Sequence, residues 1–275
     1  MLGFRQRRLA AARFRGRPDT GRNKARGFKV MADFRNIQAQ QRAGGARADA
    51  GIDQGLRSYM LGVYNMMAIG LAVTGVAAYG TAMLAMSNPA FQQLIFASPL
   101  RWVVMLAPLA AVFFLSFRID RMTVAAAQAT FWIYAALVGL SLSSIFIVFT
   151  GQTIVRTFFI TAAAFGSLSL YGYTTKRDLS AMGSFLVMGL FGLIIASLVN
   201  IFLGSSALQF AISVIGVLIF AGLTAFDTQS IKEMYYEGDA ADVHGRKVVM
   251  GALRLYLDFI NMFMFLLQFF GNNRN

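Results

Sequence analysis

Two aspartates lie within apolar stretches in the C-terminal part of the chain. Asp227 lies in the segment VLIFAGLTAFDTQSI, which begins at Val217, and Asp258 lies in LRLYLDFINMFMFLL, which begins at Leu253. A carboxylate in a bilayer span costs roughly 2.5–3.5 kcal/mol on insertion scales, so such a group usually faces a partner, a water-filled cavity or an ion path. Two of them in successive spans are expected to meet, to share a proton and to respond to pH.

Other polar side chains accompany this pair. The last span has a polar stripe on one helical face, because its members are 4, 3 and 7 residues apart: Arg254, Asp258, Asn261 and Gln268. Thr224 lies one turn before Asp227 and can share its face. Arg118, at the end of the second span, is a candidate counter-charge for the carboxylates. Alternatively, it is an ordinary flanking residue whose side chain extends to the headgroups.

Seven apolar windows are long enough to position these residues on membrane-spanning helices, which need about 20 residues each. Charged residues make up 13% of the chain, whereas soluble domains carry about 25%. The windows do not alternate in polarity as the strands of a transmembrane β-barrel do. They lie at about 58–86, 102–118, 122–149, 154–174, 183–203, 207–231 and 250–270. The sequence therefore predicts an all-α polytopic membrane protein with a seven-helix domain over residues 57–275.

Basic residues predict how these helices are oriented. Residues 1–57 hold 14 of the 25 Lys and Arg but only 4 of the 12 acidic residues. Further Lys and Arg cluster at 118–121, 176–177 and 232–254, whereas the alternate connections carry few. The positive-inside rule then places the N-terminus in the cytoplasm. Because the basic excess leads into a membrane span, we expect the lipid bilayer as its partner and no nucleic acid.

Helix geometry places the two carboxylates at matching depth. Asp227 precedes Lys232 by about 7.5 Å, and Asp258 follows Arg254 by about 6 Å, at 1.5 Å per residue. Since the sixth span runs inward and the seventh outward, both lie one to two turns inside the cytoplasmic boundary. An alternative stays open for Asp227, which would end a helix at the interface with Gln229 already among the headgroups.

Residues 1–56 form a basic tail that is expected to be cytoplasmic and disordered. Its first 30 residues hold ten Lys and Arg and a single acid, Asp19, without the apolar core of a secretory signal. Two interpretations of residues 1–30 stay open. They form an arm attracted to lipid phosphates, or they precede the true start of translation, since Met31 opens a plausible coding start.

The residue types argue against an enzyme. The chain has no cysteine and a single histidine, His244, so neither a zinc site nor a serine hydrolase triad is expected. An intramembrane aspartyl protease also uses two aspartates in adjacent helices, and such enzymes typically have Gly-x-Gly before one of them. Here the bulky residues Leu255, Tyr256 and Leu257 precede Asp258. We therefore expect no enzymatic activity and no cofactor.

Three motifs together resemble the Bax inhibitor-1 family, also called the transmembrane Bax inhibitor motif family, in its bacterial branch. They are SLYGYTTKRDLS from Ser169, GLTAFDTQ from Gly222 and LYLDFIN from Leu255. The resemblance covers about residues 55–273. It implies seven helices, arranged as two three-helix layers around a central C-terminal helix, in a bacterial inner membrane.

The same resemblance implies roles for individual residues. Asp227 and Asp258 would form the di-aspartyl pH sensor of the family, and Arg118 would be the arginine that latches onto Asp227 in the closed state. Family members are associated with pH-dependent calcium leak, and some bacterial relatives with regulation of a membrane-bound protease.

Two functions follow as expectations. The first is a pH-sensitive calcium leak channel, in which Asp227 and Asp258, with Asn261, Thr224 and water, coordinate Ca²⁺ weakly and transiently. The second is an interaction protein that modulates a membrane-bound protease or a stress response without transporting ions. The sequence leaves both open.

Overall fold

The computed structural model describes the backbone of residues 20–271 and the side chains of residues 54–271. Among the described residues, seven helices have the length and apolar composition needed to cross a membrane, which confirms the predicted all-α class. They are α1 (Thr20–Ser87), α2 (Leu100–Arg118), α3 (Val124–Leu142), α4 (Gly151–Thr174), α5 (Ser180–Leu203), α6 (Ser206–Glu233) and α7 (Ala241–Phe270).

Short elements and caps separate these helices. A helical turn and a π-helical turn join α1 to α2, a 3₁₀ turn follows α2, and one helical turn follows α3: Pro89–Gln92, Gln93–Ala97, Ile119–Arg121 and Ile145–Val148. Hydroxyl side chains that accept a hydrogen bond from the first turn cap α3, α4 and α6, and they belong to Thr123, Thr150 and Ser205. Such caps satisfy N–H groups that a helix leaves unpaired at its start.

Two helices extend well beyond the apolar windows. α7 begins at Ala241 rather than near position 250, because backbone hydrogen bonding continues a helix through polar residues outside the apolar layer. α1 begins at Thr20, so it includes part of the basic tail, while the disorder expected for residues 1–56 stays a prediction. Residues 20–56 contain no proline and are rich in Ala, Gln and Arg, which favour helix. The predictions for residues 1–19 lie outside the described residues.

The C-terminal helix α7 is the most buried of the seven. In its most apolar 18-residue stretch 56% of the residues are buried, against 17% in α2 and 11% in α5. It packs most extensively against α6 and also contacts α4 and α3. The hydroxyl groups of Tyr256 in α7 and Thr74 in α1 hydrogen-bond at 2.6 Å. Helix α7 therefore forms the core of the bundle, while the two surrounding three-helix layers stay a prediction.

Glycines bring the backbones of two helix pairs into direct contact. A Cβ atom on Gly172 of α4 would lie 2.1 Å from the carbonyl oxygen of Ala225 in α6. A Cβ atom on Gly139 of α3 would lie 2.5 Å from the carbonyl oxygen of Thr74 in α1. Only glycine allows helices to approach so closely, so α4 is fixed against α6 and α3 against α1.

Basic side chains hydrogen-bond between helices at one end of the bundle, which we call the basic end. It carries the Lys and Arg residues Lys176, Arg177, Lys232, Arg246 and Lys247. Lys232 donates to the carbonyl oxygen of Tyr173 at 2.8 Å, and Arg246 donates to that of Met122 at 3.4 Å. These contacts connect the ends of α6 and α7 to α4 and to the residues after α2.

The opposite end holds a cluster of neutral amides. Asn200 of α5 donates to Gln209 of α6 at 3.0 Å, and Gln209 donates to Gln268 of α7 at 2.9 Å. The hydroxyl of Ser213 also donates to Gln268 at 3.4 Å. We call these four residues the amide cluster. It links α5, α6 and α7 without a charged group.

Candidate functional site: a carboxyl pair at the wall of a cavity

The structure brings Asp227 of α6 and Asp258 of α7 together. Their carboxyl groups lie within hydrogen-bonding range of each other, so the two side chains meet as their depths predict. Asp258 is only 3% exposed, and the side chain of Asp227 is 17% exposed. The pair therefore lies inside the bundle rather than on its surface.

One oxygen of this pair has no donor. The Oδ2 atom of Asp258 is buried, and no N–H or hydroxyl group among residues 54–271 reaches it. Two ionised carboxylates can only accept hydrogen bonds, and a buried charge without a partner is costly. The oxygen therefore needs a proton held by the pair, a water molecule or a cation.

Arg254 supplies the counter-charge. Its Nη1 atom lies 4.0 Å from Oδ1 of Asp227 and 3.4 Å from the hydroxyl oxygen of Ser230. Among residues 54–271, the ion pair that Asp227 and Asp258 make is the one between Asp227 and Arg254. Arg118, the predicted counter-charge, is exposed at the end of α2. In this structure Arg254 takes the position beside Asp227 that was predicted for Arg118, and the latch role of Arg118 stays a prediction.

The pair lines a cavity of about 690 Å³ between α2, α5, α6 and α7. Arg254 and Asn261 line it as well, so three members of the predicted polar stripe face the same space. The amide of Asn261 donates to the carbonyl oxygen of Leu257 at 2.8 Å, which leaves its oxygen free to accept. Most of the other lining residues are apolar.

Thr224 lies elsewhere than predicted. It is fully buried and does not line the cavity, because its hydroxyl donates to the carbonyl oxygen of Phe220 one turn earlier at 2.7 Å, a common arrangement for threonine in helices. Its own carbonyl oxygen accepts from Thr228, which hydrogen-bonds Ser169, which in turn hydrogen-bonds Tyr64. The backbone carbonyl of Thr224 thus ends a chain of hydroxyl groups that joins α1, α4 and α6, and the supporting role of its side chain beside the carboxyl pair stays a prediction.

Gln229 is a site residue that the sequence analysis missed. It is 7% exposed; its Oε1 accepts from the N–H of Leu179, and its Nε2 donates to the carbonyl oxygen of Arg177, both at 2.8 Å. The side chain of Gln229 is therefore buried within the protein, whereas the depth of Asp227 and Gln229 relative to the headgroups stays a prediction. The glutamine fixes the end of α6, two residues after Asp227, to the loop between α4 and α5.

The same loop begins α5 with a negative charge. The side chain of Asp178 accepts a hydrogen bond from the N–H of Ser180 at 2.8 Å. Hydrogen bonds from the hydroxyl and N–H of Ser180 hold the pKa of the Asp178 carboxyl below its ordinary value. A carboxylate at a helix start is favourable, so Asp178 stabilises the start of α5.

The described residues offer no prebuilt metal site. No three His, Cys, Asp or Glu side chains among them come together. The ring of His244 packs instead against Tyr59 and Tyr235, with centroids 5.3 and 6.3 Å away. A Ca²⁺ ion prefers six to eight oxygen ligands. A Ca²⁺ ion at Asp227 and Asp258 would need amide oxygens and water to complete its ligands, so its binding there would be weak.

The chain is similar to bacterial membrane proteins over most of its length. The family model described as inhibitor of apoptosis-promoting Bax1 matches residues 56–275. The inner membrane protein YbhL of Escherichia coli is 47% identical over 223 residues, covering 80% of this chain and 94% of that protein. An uncharacterized protein of Rickettsia prowazekii is 50% identical over 223 residues, covering 81% and 93%. One of Caulobacter vibrioides is 50% identical over 239 residues, covering 83% and 94%.

Proposed function

The chain belongs to the Bax inhibitor-1 family of integral membrane proteins, and we propose that it is a pH-sensitive calcium leak channel gated by Asp227 and Asp258. One observation carries this proposal: the carboxyl groups of Asp227 and Asp258 line the same cavity, whose other lining residues are mostly apolar. Similarity to an inner membrane protein supports the same membrane for this chain, and the distribution of Lys and Arg supports a cytoplasmic N-terminus.

The first step of the mechanism is the exchange of one proton. When the pair holds a proton, Asp227 and Asp258 hydrogen-bond across the α6–α7 contact, and Arg254 compensates the remaining negative charge. When the proton leaves, two like charges face each other in a medium of low dielectric, where their repulsion is strong. The α6–α7 contact then weakens at this end, and the cavity widens.

The second step is the passage of calcium. Both carboxylates line the cavity together with Asn261, so a partly hydrated Ca²⁺ ion can exchange water for their oxygens. Conduction requires binding that is favourable enough for entry and weak enough for release. Few protein ligands and the nearby guanidinium of Arg254 both keep calcium binding weak.

The arginine latch is a further part of the proposal. Arg254 lies beside Asp227 while Arg118 is exposed, so the present arrangement corresponds to an unlatched state. A closed state in which Arg118 pairs with Asp227 requires α2 to move toward α6. The low burial of α2 makes such a movement less costly than a movement of α7.

The test is calcium flux into liposomes that contain the purified full-length chain and a trapped calcium dye. We expect flux in the wild type to rise with pH as the shared proton is lost. Asp227→Asn and Asp258→Asn should each give flux that no longer varies with pH. The matched control is Asp239→Asn. It makes the same chemical change at a carboxylate that lies outside the spans and pairs with Lys247.

Unchanged pH dependence in both aspartate variants would defeat the gating proposal. Absence of calcium flux in the wild type favours the second candidate, a regulator that binds a membrane partner such as a protease and transports nothing. Affinity capture from membranes would then compare wild type with Asp258→Asn, because a conformational role of the pair predicts altered capture.

A further inference from the structure

The cavity beside the carboxyl pair is polar at one end and apolar along the rest of its length, as an amphiphile is. Its polar groups gather at one end, where Asp227, Asp258, Arg254 and Asn261 line the wall. The other lining residues are almost all Leu, Ile, Val and Phe, with two serines. A volume of about 690 Å³ lies within the roughly 300–1,000 Å³ of small-molecule sites, which also combine an apolar lining with a few polar groups.

The cavity is elongated along the helices. On α5 its lining runs from Val187 to Ile201, which corresponds to about 21 Å of helix rise. Because α5 starts at the basic end, Val187 is the cavity-lining residue of α5 nearest to the carboxyl pair in depth, and Ile201 lies toward the opposite end. An extended apolar chain can therefore follow α5 away from the pair.

Two helices that form the cavity wall also face outward. Phe113 of α2 is 53% exposed and Leu198 of α5 is 54% exposed, and both line the cavity. In a bilayer these exposed surfaces contact lipid. A molecule dissolved in the membrane can therefore enter sideways between α2 and α5, without crossing the aqueous phase.

Charge decides which head group fits. With both carboxyls ionised, Asp227, Asp258 and Arg254 together carry a single net negative charge. A monovalent cation neutralises this site, whereas Ca²⁺ leaves an excess positive charge in surroundings of low dielectric. An ammonium group has three N–H donors and no acceptor, which matches the buried oxygen of Asp258 that no protein donor reaches.

We propose that this cavity binds a lipophilic monovalent cation, a long-chain primary amine, whose ammonium group hydrogen-bonds Asp258 and Asp227 while its alkyl chain lies along α2 and α5. Binding takes the place of the shared proton, since both supply the donor that the pair lacks. The site itself depends only on the cavity. A bound amine would also hold the two carboxylates together and so reduce the passage of calcium through the channel. That consequence rests on the proposed function.

The experiment uses the full chain in phosphatidylcholine nanodiscs and a diazirine-bearing dodecylamine as photoaffinity probe. The matched probe is the corresponding dodecanol, which has the same chain and no charge. We expect saturable labelling by the amine at residues of α2 and α5, with competition by unlabelled dodecylamine and none by dodecanol. Asp258→Asn should lower the affinity by at least about tenfold, because it removes one partner of a buried charge pair.

Two further variants keep the test decisive. Asp239→Asn, which changes a carboxylate away from the cavity, should label like the wild type. Ile194→Trp keeps both carboxyls but fills the apolar part of the cavity, so it should also reduce amine labelling. Equal labelling by amine and alcohol, or labelling that Asp258→Asn and Ile194→Trp leave unchanged, would overturn the proposal.

Calcium flux measured on the same preparations separates this inference from the proposed function. Saturable amine labelling without calcium flux supports the amine site and contradicts the proposed channel function. Calcium flux without saturable amine labelling contradicts the amine site and supports the proposed channel function.

Discussion

The two ends of the contact between α6 and α7 carry different kinds of polar group. At the basic end Asp227 and Asp258 face each other beside Arg254, and one buried oxygen has no donor. At the other end the neutral side chains of Gln209 and Gln268 hydrogen-bond at 2.9 Å. In the mechanism that we propose, loss of a proton weakens the first contact, whereas the second contact has no group that titrates. The amide cluster would then be the fixed point about which the helices separate at the basic end.

The largest effect should come from removing the counter-charge. Arg254→Met leaves the carboxyl pair without a cation, and removing one partner of a buried ion pair costs about 3–5 kcal/mol. The side chain of Arg254 is 40% exposed, so solvent screening lowers the expected loss to roughly 2 kcal/mol. The loss should be greatest at alkaline pH, where both carboxyls are ionised, and acidification should restore stability. Unfolding in SDS mixed micelles measures it, with Arg254→Lys as the control that keeps the charge.

Converting the charged end into a second neutral end is the next test. The double variant Asp227→Asn, Asp258→Asn has no carboxylate at the α6–α7 contact. Because replacing buried charged groups is often neutral or stabilising, we expect a gain of about 1–2 kcal/mol at alkaline pH. Its unfolding free energy should also vary less with pH than that of the wild type. A pH profile that stays the same in the double variant would show that other groups set it.

The anchor of α6 at the basic end can be removed separately. Gln229→Ala leaves the N–H of Leu179 and the carbonyl oxygen of Arg177 without their partner, at a cost of about 1–2 kcal/mol. Released from α6, the loop at residues 175–179 should become more accessible to trypsin at Lys176 and Arg177. Gln229→Glu keeps the acceptor for Leu179 and should be cleaved more slowly than Gln229→Ala. Equal cleavage of wild type and Gln229→Ala would contradict this role.

The smallest effect is expected at the amide cluster. Gln268→Leu removes its hydrogen bonds to Gln209 and Ser213, and hydrogen bonds between membrane helices contribute about 0.6 kcal/mol on average. The pH profiles of stability and flux should keep their shape, because no titrating group changes. A shifted pH profile in Gln268→Leu would mean that the two ends are coupled more closely than a fixed point allows.

The depth of a residue could be predicted from the sequence, because length along a helix converts directly into distance. Asp227 and Asp258 were placed at one level on this basis, and they meet. The rotation of each helix about its axis was harder to predict. Thr224 lies one turn from Asp227 in sequence, yet its hydroxyl donates to the carbonyl oxygen of Phe220 in its own helix, and Thr224 does not line the cavity.

The choice of counter-charge shows the same limit. Arg118 and Arg254 both lie at the basic end, and position alone does not say which one reaches Asp227. The polar stripe did contain the signal, because Arg254 precedes Asp258 by four residues and shares its face. Gln229 gave no such signal, since its partners are backbone atoms of Arg177 and Leu179, whose place depends on the packing of α4 against α6.

Unequal attachment of the seven helices has a consequence for the lipid environment. Gly172 and Gly139 hold α4 against α6 and α3 against α1 at backbone distance, whereas α2 and α5 bury the smallest share of their apolar stretches. A bilayer whose thickness does not match a helix is accommodated by tilting, at a modest cost per ångström. Thinner or thicker membranes will therefore tilt α2 and α5 before they disturb the glycine-packed helices. Acyl-chain length alone is then expected to change the width of the opening beside the carboxyl pair.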